Sequence, residues 1–311
     1  MITYVSGDMF YSPARVLVIP VNTVGVMSKG LAYDGRRFFP EMFDYYKARC
    51  QADAFDIGNL ILYRTAHKWL LLFPTKRHFR ANARPEHIEA GLKKFVEVYA
   101  ELGLTSVSFP RLGTGNGKLD WEQVVRPLME GYLDPLPISV YIHNFDIPEP
   151  FKPERRNVRA IRAWLNGTPE HVPYERLWRD IKRLLKEQQD FQTIDGQHET
   201  FQAKLHHNER GLNFFIPNSV KPIYIAASSL ADLWQYIVYA GYAMPQNFPS
   251  GLDVWGRYLV GLLWNLKYLH PALLSTIGRE QQVGLHYVPP VPRQPKQLIQ
   301  TIAPQFANAL D

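Results

Sequence analysis

Residues 106–121 read SVSFPRLGTGNGKLDW. Ser106–Phe109 has the β-branched and aromatic content of a strand. It runs into a loop with glycine at 113, 115 and 117, and a helical pattern follows over Trp121–Leu133. In a strand–glycine loop–helix unit, backbone N–H groups converge on phosphate oxygens, helped by the positive end of the next helix. The same layout occurs earlier. Val16–Val21 reads as a strand, Thr23–Gly30 as a glycine-punctuated loop, and a helix is expected through Arg49. Ligands of open α/β sheets sit at the carboxyl ends of the strands. Two such loops in one domain point to a diphosphate gripped from both sides.

The surrounding pattern agrees. Ile2–Val5, Asn59–Arg64, Trp69–Phe73 and Ser139–His143 read as further strands, with a tight connection around His67. Pro85–Leu102 places Ile88, Leu92, Phe95, Val96 and Tyr99 on one helical face. Strands alternating with helices predict an α/β layer fold with a mainly parallel or mixed sheet. Asn144–Arg156 combines prolines with charge and reads as a connector, so the expected division is a first domain over 1–147, a linker over 148–156 and a second domain over 157–311. Arg159–Leu165, Tyr174–Gln189, Ala231–Tyr242 and Val254–Leu269 predict a mostly helical second domain. A proline-rich stretch, VPPVPRQPKQ (288–297), leads into a short amphipathic tail.

With 311 residues, 46% hydrophobic and 13% aromatic, the chain has material for two packed cores. No apolar run approaches the ~20 residues that span a bilayer, and MITYVSGDMF lacks a signal-peptide layout. The single cysteine, Cys50, excludes an internal disulfide framework and cysteine-rich zinc modules, and fits a reducing cytoplasm. A formal charge of +6 favours polyanionic partners without establishing them.

Two phosphate-loop alternatives fail on detail. A Walker loop needs glycine at Leu112 and Ser or Thr at Leu119. A dinucleotide fingerprint needs glycine at Lys118 and should follow the first strand. Four ordered motifs instead resemble the macrodomain family. They are Ser6-Gly7-Asp8, Val21 to Ala32 (VNTVGVMSKGLA), Phe73 to Arg80 (FPTKRHFR) and Pro110 to Trp121 (PRLGTGNGKLDW). The likeness covers roughly residues 1–145 and lies nearest the branch that contains DarG and the terminal ADP-ribose glycohydrolases. It implies a three-layer α/β/α mixed sheet that holds ADP-ribose.

The resemblance also assigns positions. It implies that Asp8, with Met9 beside it, accepts from the adenine amino group, and that Asn22 lies beside the distal ribose. It makes Thr23, Gly25, Val26, Met27, Ser28, Lys29 and Gly30 the first diphosphate and ribose loop, and Leu112, Gly113, Thr114, Gly115, Asn116 and Gly117 the second. Lys76, after Pro74-Thr75, is implied to point at the anomeric carbon of that ribose, with Asn22 as its catalytic companion. Cleaving a glycosidic bond through a cation-like transition state suits a lysine that attacks, or one that supplies charge and protons. Attack needs the neutral amine, favoured by burial or by cations such as Arg77 and Arg80.

Three departures stand out. Ser28 replaces a usual glycine, and Asp34-Gly35 interrupts the helix pattern in a way that bears on access to the ribose. Gly117 stands where the deglutamylating relatives carry aspartate, with Asp120 lying later. The last favours a nucleic-acid adduct over a glutamate one. The expected function is therefore an ADP-ribosylglycohydrolase acting on a modified base, of DNA first and RNA second, in an antitoxin-like role. Non-hydrolytic sensing of ADP-ribose, or antitoxin action mainly by contact with a toxin, are the alternatives. Neither cofactor nor metal is expected, since His198, His206 and His207 have no recognisable ligand spacing. The basic helix over Arg176–Lys186 reads as a solvated face, and Trp234, Tyr236, Trp255, Tyr258 and Trp264 as core. An ADP-ribosyltransferase toxin is the expected partner of 157–311, with no membrane involved.

Overall fold

A computed structural model describes residues 1–144, 158–217 and 219–291, together with the backbone of 305–309. The expected linker over 148–156 and most of the proline-rich stretch lie outside the described residues.

The first half builds a sheet from β1 (Ile2–Ser6), β2 (Val16–Asn22), β3 (Leu60–Arg64), β4 (Trp69–Lys76), β5 (Ser106–Pro110) and β6 (Ser139–Asn144). Strands β1, β6, β5, β2 and β4 run parallel in that spatial order, and β3 is antiparallel to β4. Alternate residues of β2 enter opposite layers. Val16 and Val18 pack with α3 (Pro85–Val98) and α4 (Arg126–Leu133), whereas Leu17 and Ile19 pack with α1 (Gly30–Phe38) and α2 (Pro40–Gln51). Burial on both faces is why these strands read as continuous apolar runs. The single helix expected through Arg49 is two, because Phe39 leaves helical geometry and Pro40 starts the next helix. Trp121–Val125 is a π-helical turn capped by Asp120, which accepts from the Gln123 N–H at 2.7 Å before α4 begins. Three layers, helix–sheet–helix, are thus in place.

The second half is not mostly helical. Helices α5 (Val158–Asn166), α6 (Tyr174–Glu187), α7 (Ala227–Ala240) and α8 (Gly256–Leu263) alternate with strands β7 (Asp190–Gln192), β8 (Thr200–Leu205), β9 (Gly211–Phe215), β10 (Ile223–Ala226), β11 (Tyr242–Ala243), β12 (Leu269–Thr276) and β13 (Gln282–Tyr287). Strands β7–β10 form an antiparallel sheet. Its inner residues Phe201, Ala203, Leu212 and Phe214 share a core with Leu177, Ile181 and Leu185 of α6 and Trp234 of α7. Trp234 and Tyr258 are buried there, and Tyr236, Trp255 and Trp264 pack against the same core. The opposite side of α6 carries Arg176 and Arg183, both paired with Asp180.

Strands β11, β13 and β12 continue the first-half sheet beyond β1. Strand β12 pairs antiparallel with β1, Thr3 opposite Thr276 and Ser6 opposite Leu273, and β14 (Gln305–Ala309) pairs with β3 at the far edge. Helix α5 closes the seam from one face. The Trp164 indole lies 4.6 Å from the His67 ring and 5.2 Å from Lys68 Nζ, and its Nε1 donates to the Pro289 carbonyl at 3.0 Å. The two halves therefore share one sheet and part of one core.

A cationic cleft at the carboxyl ends of the parallel strands

Register partners Asn22 and Lys76 end the adjacent parallel strands β2 and β4, beyond a register shift at Val21/Asn22. The two residues that the sequence nominated for catalysis are thereby side by side. Next to them opens a cleft of about 650 Å³. Asn22, Val26, Ser28, Lys29, Gly30, Thr75, Lys76, Gly113, Gly115, Asn116 and Gly117 all line it, together with Pro20, Val21, Leu31, Ala32, Phe79, Arg80 and Arg111. Both glycine loops meet here. The lining side chains include four cations and, among the described residues, no carboxylate.

The first loop is organised by Asn22. Its Oδ1 accepts from the N–H groups of Val24 (3.1 Å) and Val26 (3.2 Å), and its Nδ2 donates to the Val26 carbonyl at 2.6 Å. The Tyr46 hydroxyl donates to the Asn22 carbonyl at 2.7 Å, locking strand end to α2. The Asn22 amide is thus engaged by its own loop, so what it offers a ligand is the shape of residues 22–26. Helix α1 then starts at Gly30 with no side-chain cap, which leaves amide donors at the end that faces the cleft.

The second loop turns back on itself so tightly that a Cβ at Gly117 would sit 2.3 Å from the Gly113 carbonyl oxygen and 2.7 Å from Ala83 Cβ. An aspartate at that position would force the loop open. A Cβ at Gly115, by contrast, would have nothing within 4 Å, so a side chain there projects into free space.

Lys76 joins the two walls. Its Nζ donates to the Phe79 carbonyl at 3.1 Å and to the Asn116 carbonyl at 3.2 Å. Burial lowers its pKa below the ordinary lysine value. The neighbouring cations expected to do this do not figure. The Arg77 guanidinium is 2.6 Å from Asp56 and ion-paired to it, and Arg77 is absent from the cleft lining. A neutral amine has two N–H bonds, and the two carbonyls can take both.

Other nominated residues lie elsewhere. Asp8 is buried and caps the turn Met9–Tyr11, accepting from the Phe10 N–H at 3.1 Å. Met9, Met27 and Leu112 are core residues. Thr23 donates through both its N–H and its hydroxyl to the Arg77 carbonyl, each at 3.1 Å. Thr114 donates to the Arg111 carbonyl at 3.1 Å, and Gly25 bends the first loop against α2. None of these lines the cleft; they shape its walls. Asp34 and Gly35 do not line it either. Asp34 pairs with Arg37 at 3.6 Å, and Gly35 is buried in α1 facing Ile19 and Met42, where a Cβ would make ordinary contacts at 3.5–3.8 Å. Phe79 and Arg111 were not nominated. Their signal was available in FPTKRHFR and PRLGTG, where each sits one turn from a glycine loop or from Lys76. Among the described residues no three His, Cys, Asp or Glu side chains converge as a metal site, and no helix is long and apolar enough to cross a membrane.

The family model of the macro domain matches residues 18–128. A Mycobacterium tuberculosis protein named DNA ADP-ribosyl glycohydrolase is 42% identical over 136 residues, covering 42% of this chain and 39% of that protein. A Thermosipho africanus protein named as a DNA ADP-ribosyl transferase–DNA ADP-ribosyl glycohydrolase fusion is 37% identical over 161 residues, covering 46% of this chain and 41% of the relative. The chain thus spans about two fifths of the length of these relatives. Among solved structures, the macrodomain of M. tuberculosis DarG has 39% identity and a TM-score of 0.45, covering 47% of this chain and 99% of that one. Residues 18–128 therefore belong to the macro domain family, and the first half of the chain resembles the DarG macrodomains in sequence.

Proposed function

We propose that the chain hydrolyses the glycosidic bond between ADP-ribose and a modified nucleic-acid base, with single-stranded DNA as the first substrate and RNA as the second. The observation that carries this reading is the lining of the cleft. Lys29, Arg80, Arg111 and two glycine loops suit a diphosphate, and Lys76 holds its amine between the Phe79 and Asn116 carbonyls. Among the described lining residues there is no carboxylate to serve as acid or base. Proton and electron-pair chemistry therefore falls to Lys76.

In this reading the neutral Lys76 amine attacks the anomeric carbon as the carbon–base bond breaks. The base leaves with the bonding electron pair and takes up the proton that the amine gives away. Water then replaces the lysine, returning the neutral amine and releasing ADP-ribose. The cationic wall stabilises the diphosphate throughout, and backbone donors at the start of α1 add to it. Asn22 and Thr23 act by holding the first loop in register with Lys76, while Asp8 anchors the first strand's turn beneath the adenine end. No cofactor enters; ADP-ribose is the product and water the co-substrate.

The relatives support the substrate class by name, and the fusion in T. africanus is in keeping with a companion ADP-ribosyltransferase; we assign contact with it to residues 157–311. We assign the chain a cytoplasmic, antitoxin-like role. One observation favours a second reading, a non-hydrolytic ADP-ribose reader: Lys76 Nζ donates to the loop carbonyls of Phe79 and Asn116, as a purely structural brace would. Parallel incubation with ADP-ribosylated single-stranded DNA, RNA and protein separates these. The glycohydrolase releases ADP-ribose from nucleic acid and spares the protein adduct; a reader binds all three and releases nothing.

A further inference from the structure

Phe79 is an aromatic ring left 38% exposed in the lining of the cleft. Chance exposure of single apolar side chains is ordinary, but the turn that carries this one is fastened at several points. The Arg77 carbonyl accepts from Thr23, and the Arg77 side chain is paired with Asp56. The Phe79 carbonyl accepts from Lys76, and the Arg80 N–H is 3.3 Å from His78 Nδ1. The ring itself is flanked by the His78 imidazole, 4.4 Å away between centroids, and by the Arg80 guanidinium at 5.3 Å. A rigid turn thus presents two aromatic rings and a cation beside the amine assigned to the chemistry.

We propose that Phe79, with His78 and Arg80, is a stacking platform for the nucleobase adjacent to the ADP-ribosylated one in a single strand. The inference rests on the function proposed above and names how its substrate is gripped outside the ADP-ribose pocket. A base offers a flat π-face of any sequence to an aromatic ring, and its phosphate lies within reach of an arginine. In a duplex those faces are taken up by neighbouring bases, so the platform selects unpaired strands. Among the described residues the cleft lining holds no carboxylate to repel a backbone phosphate, and Asp56 beside the turn is paired with Arg77.

The test uses the full chain and an unmodified, fluorescently labelled single-stranded oligonucleotide, with anisotropy read over a range of salt. Phe79→Ala is expected to weaken binding roughly tenfold while keeping the slope of affinity against salt, and Phe79→Trp to restore it. Arg80→Ala should instead lower that slope by about one phosphate's worth. Equal affinity in the wild type and Phe79→Ala would overturn the proposal, as would absence of oligonucleotide binding by the wild type. Because the probe carries no ADP-ribose, the outcomes are separable from those for hydrolysis. A chain that binds through Phe79 but never releases ADP-ribose loses the proposed activity and keeps the platform. One that releases ADP-ribose while Phe79→Ala leaves oligonucleotide affinity untouched loses the platform alone.

Discussion

At Lys76 two opposing influences meet. Burial disfavours the ammonium, and the carbonyls of Phe79 and Asn116 hold its N–H bonds in place. If the neutral amine is the working form, turnover should rise with pH and level off at a pH below the ordinary lysine pKa of about 10.4. Measuring kcat/KM for an ADP-ribosylated oligonucleotide across pH 6–10 checks this; a rate that falls through the same range would assign the work to the ammonium. Gly115 gives a complementary handle on binding. Since a Cβ there would have no atom within 4 Å, Gly115→Val should fold with an unchanged melting temperature while its methyl groups occupy the cleft. Calorimetry should then show ADP-ribose affinity reduced by tenfold or more; unchanged affinity would place the ligand elsewhere. The sequence disclosed Gly115 because glycine spacing is a local signal, and Lys76 through the family resemblance of FPTKRHFR (73–80). It did not disclose that the Asn22 amide is consumed within residues 22–26, since that depends on how the loop closes.

Among elements, strand β1 changes role most. In the first half alone it would be an exposed sheet edge beside β6; in the whole chain β12 covers it. The pairing joins residues some 270 positions apart, such as Thr3 and Thr276, and no local pattern announces such a partner. This is why the first half was legible and the second was not. Parallel strands buried on both faces stand out as apolar runs, whereas LHPALLST (269–276) contains proline and follows a helical pattern. Helix α5 is the other device at the seam, with Trp164 buried against Tyr11, His67 and Lys68. Trp164→Ala should cost about 3–5 kcal/mol. Urea unfolding should shift as one transition, because the halves share a sheet. A second, separate transition would show that the shared strands do not couple them.

For the molecule as a whole, the seam carries several groups held uncharged by burial. His67 is lowered to about 4 and its Nδ1 sits 2.8 Å from the Trp164 carbonyl. His286 is driven well down, 2.8 Å from the Tyr11 carbonyl, and His270 is lowered as well. A histidine whose folded pKa is depressed takes up fewer protons folded than unfolded below about pH 6.5. Its stabilisation is therefore present above that value and is lost as pH falls toward 4. Lys68, lowered to about 7 by burial and by Arg15, follows the same sign in a higher window. Stability should rise from pH 7 toward 9 as the unfolded lysine keeps a proton that the folded one gives up. Melting temperatures should climb from pH 4.5 to 6.5 and again, more gently, to pH 9. A Lys68→Met variant should lose only the upper part of that rise; a flat profile across both windows would contradict the buried, uncharged seam.

All of this turns on whether the cleft cleaves or only holds ADP-ribose. Single-turnover release from ADP-ribosylated single-stranded DNA, measured for the wild type and Lys76→Ala beside calorimetric ADP-ribose binding by each, decides it. The account predicts that Lys76→Ala keeps ADP-ribose affinity within a few-fold and releases ADP-ribose roughly 10²–10⁴ times more slowly. Equal release by both proteins, or a wild type that binds ADP-ribose and never releases it from DNA, would contradict it.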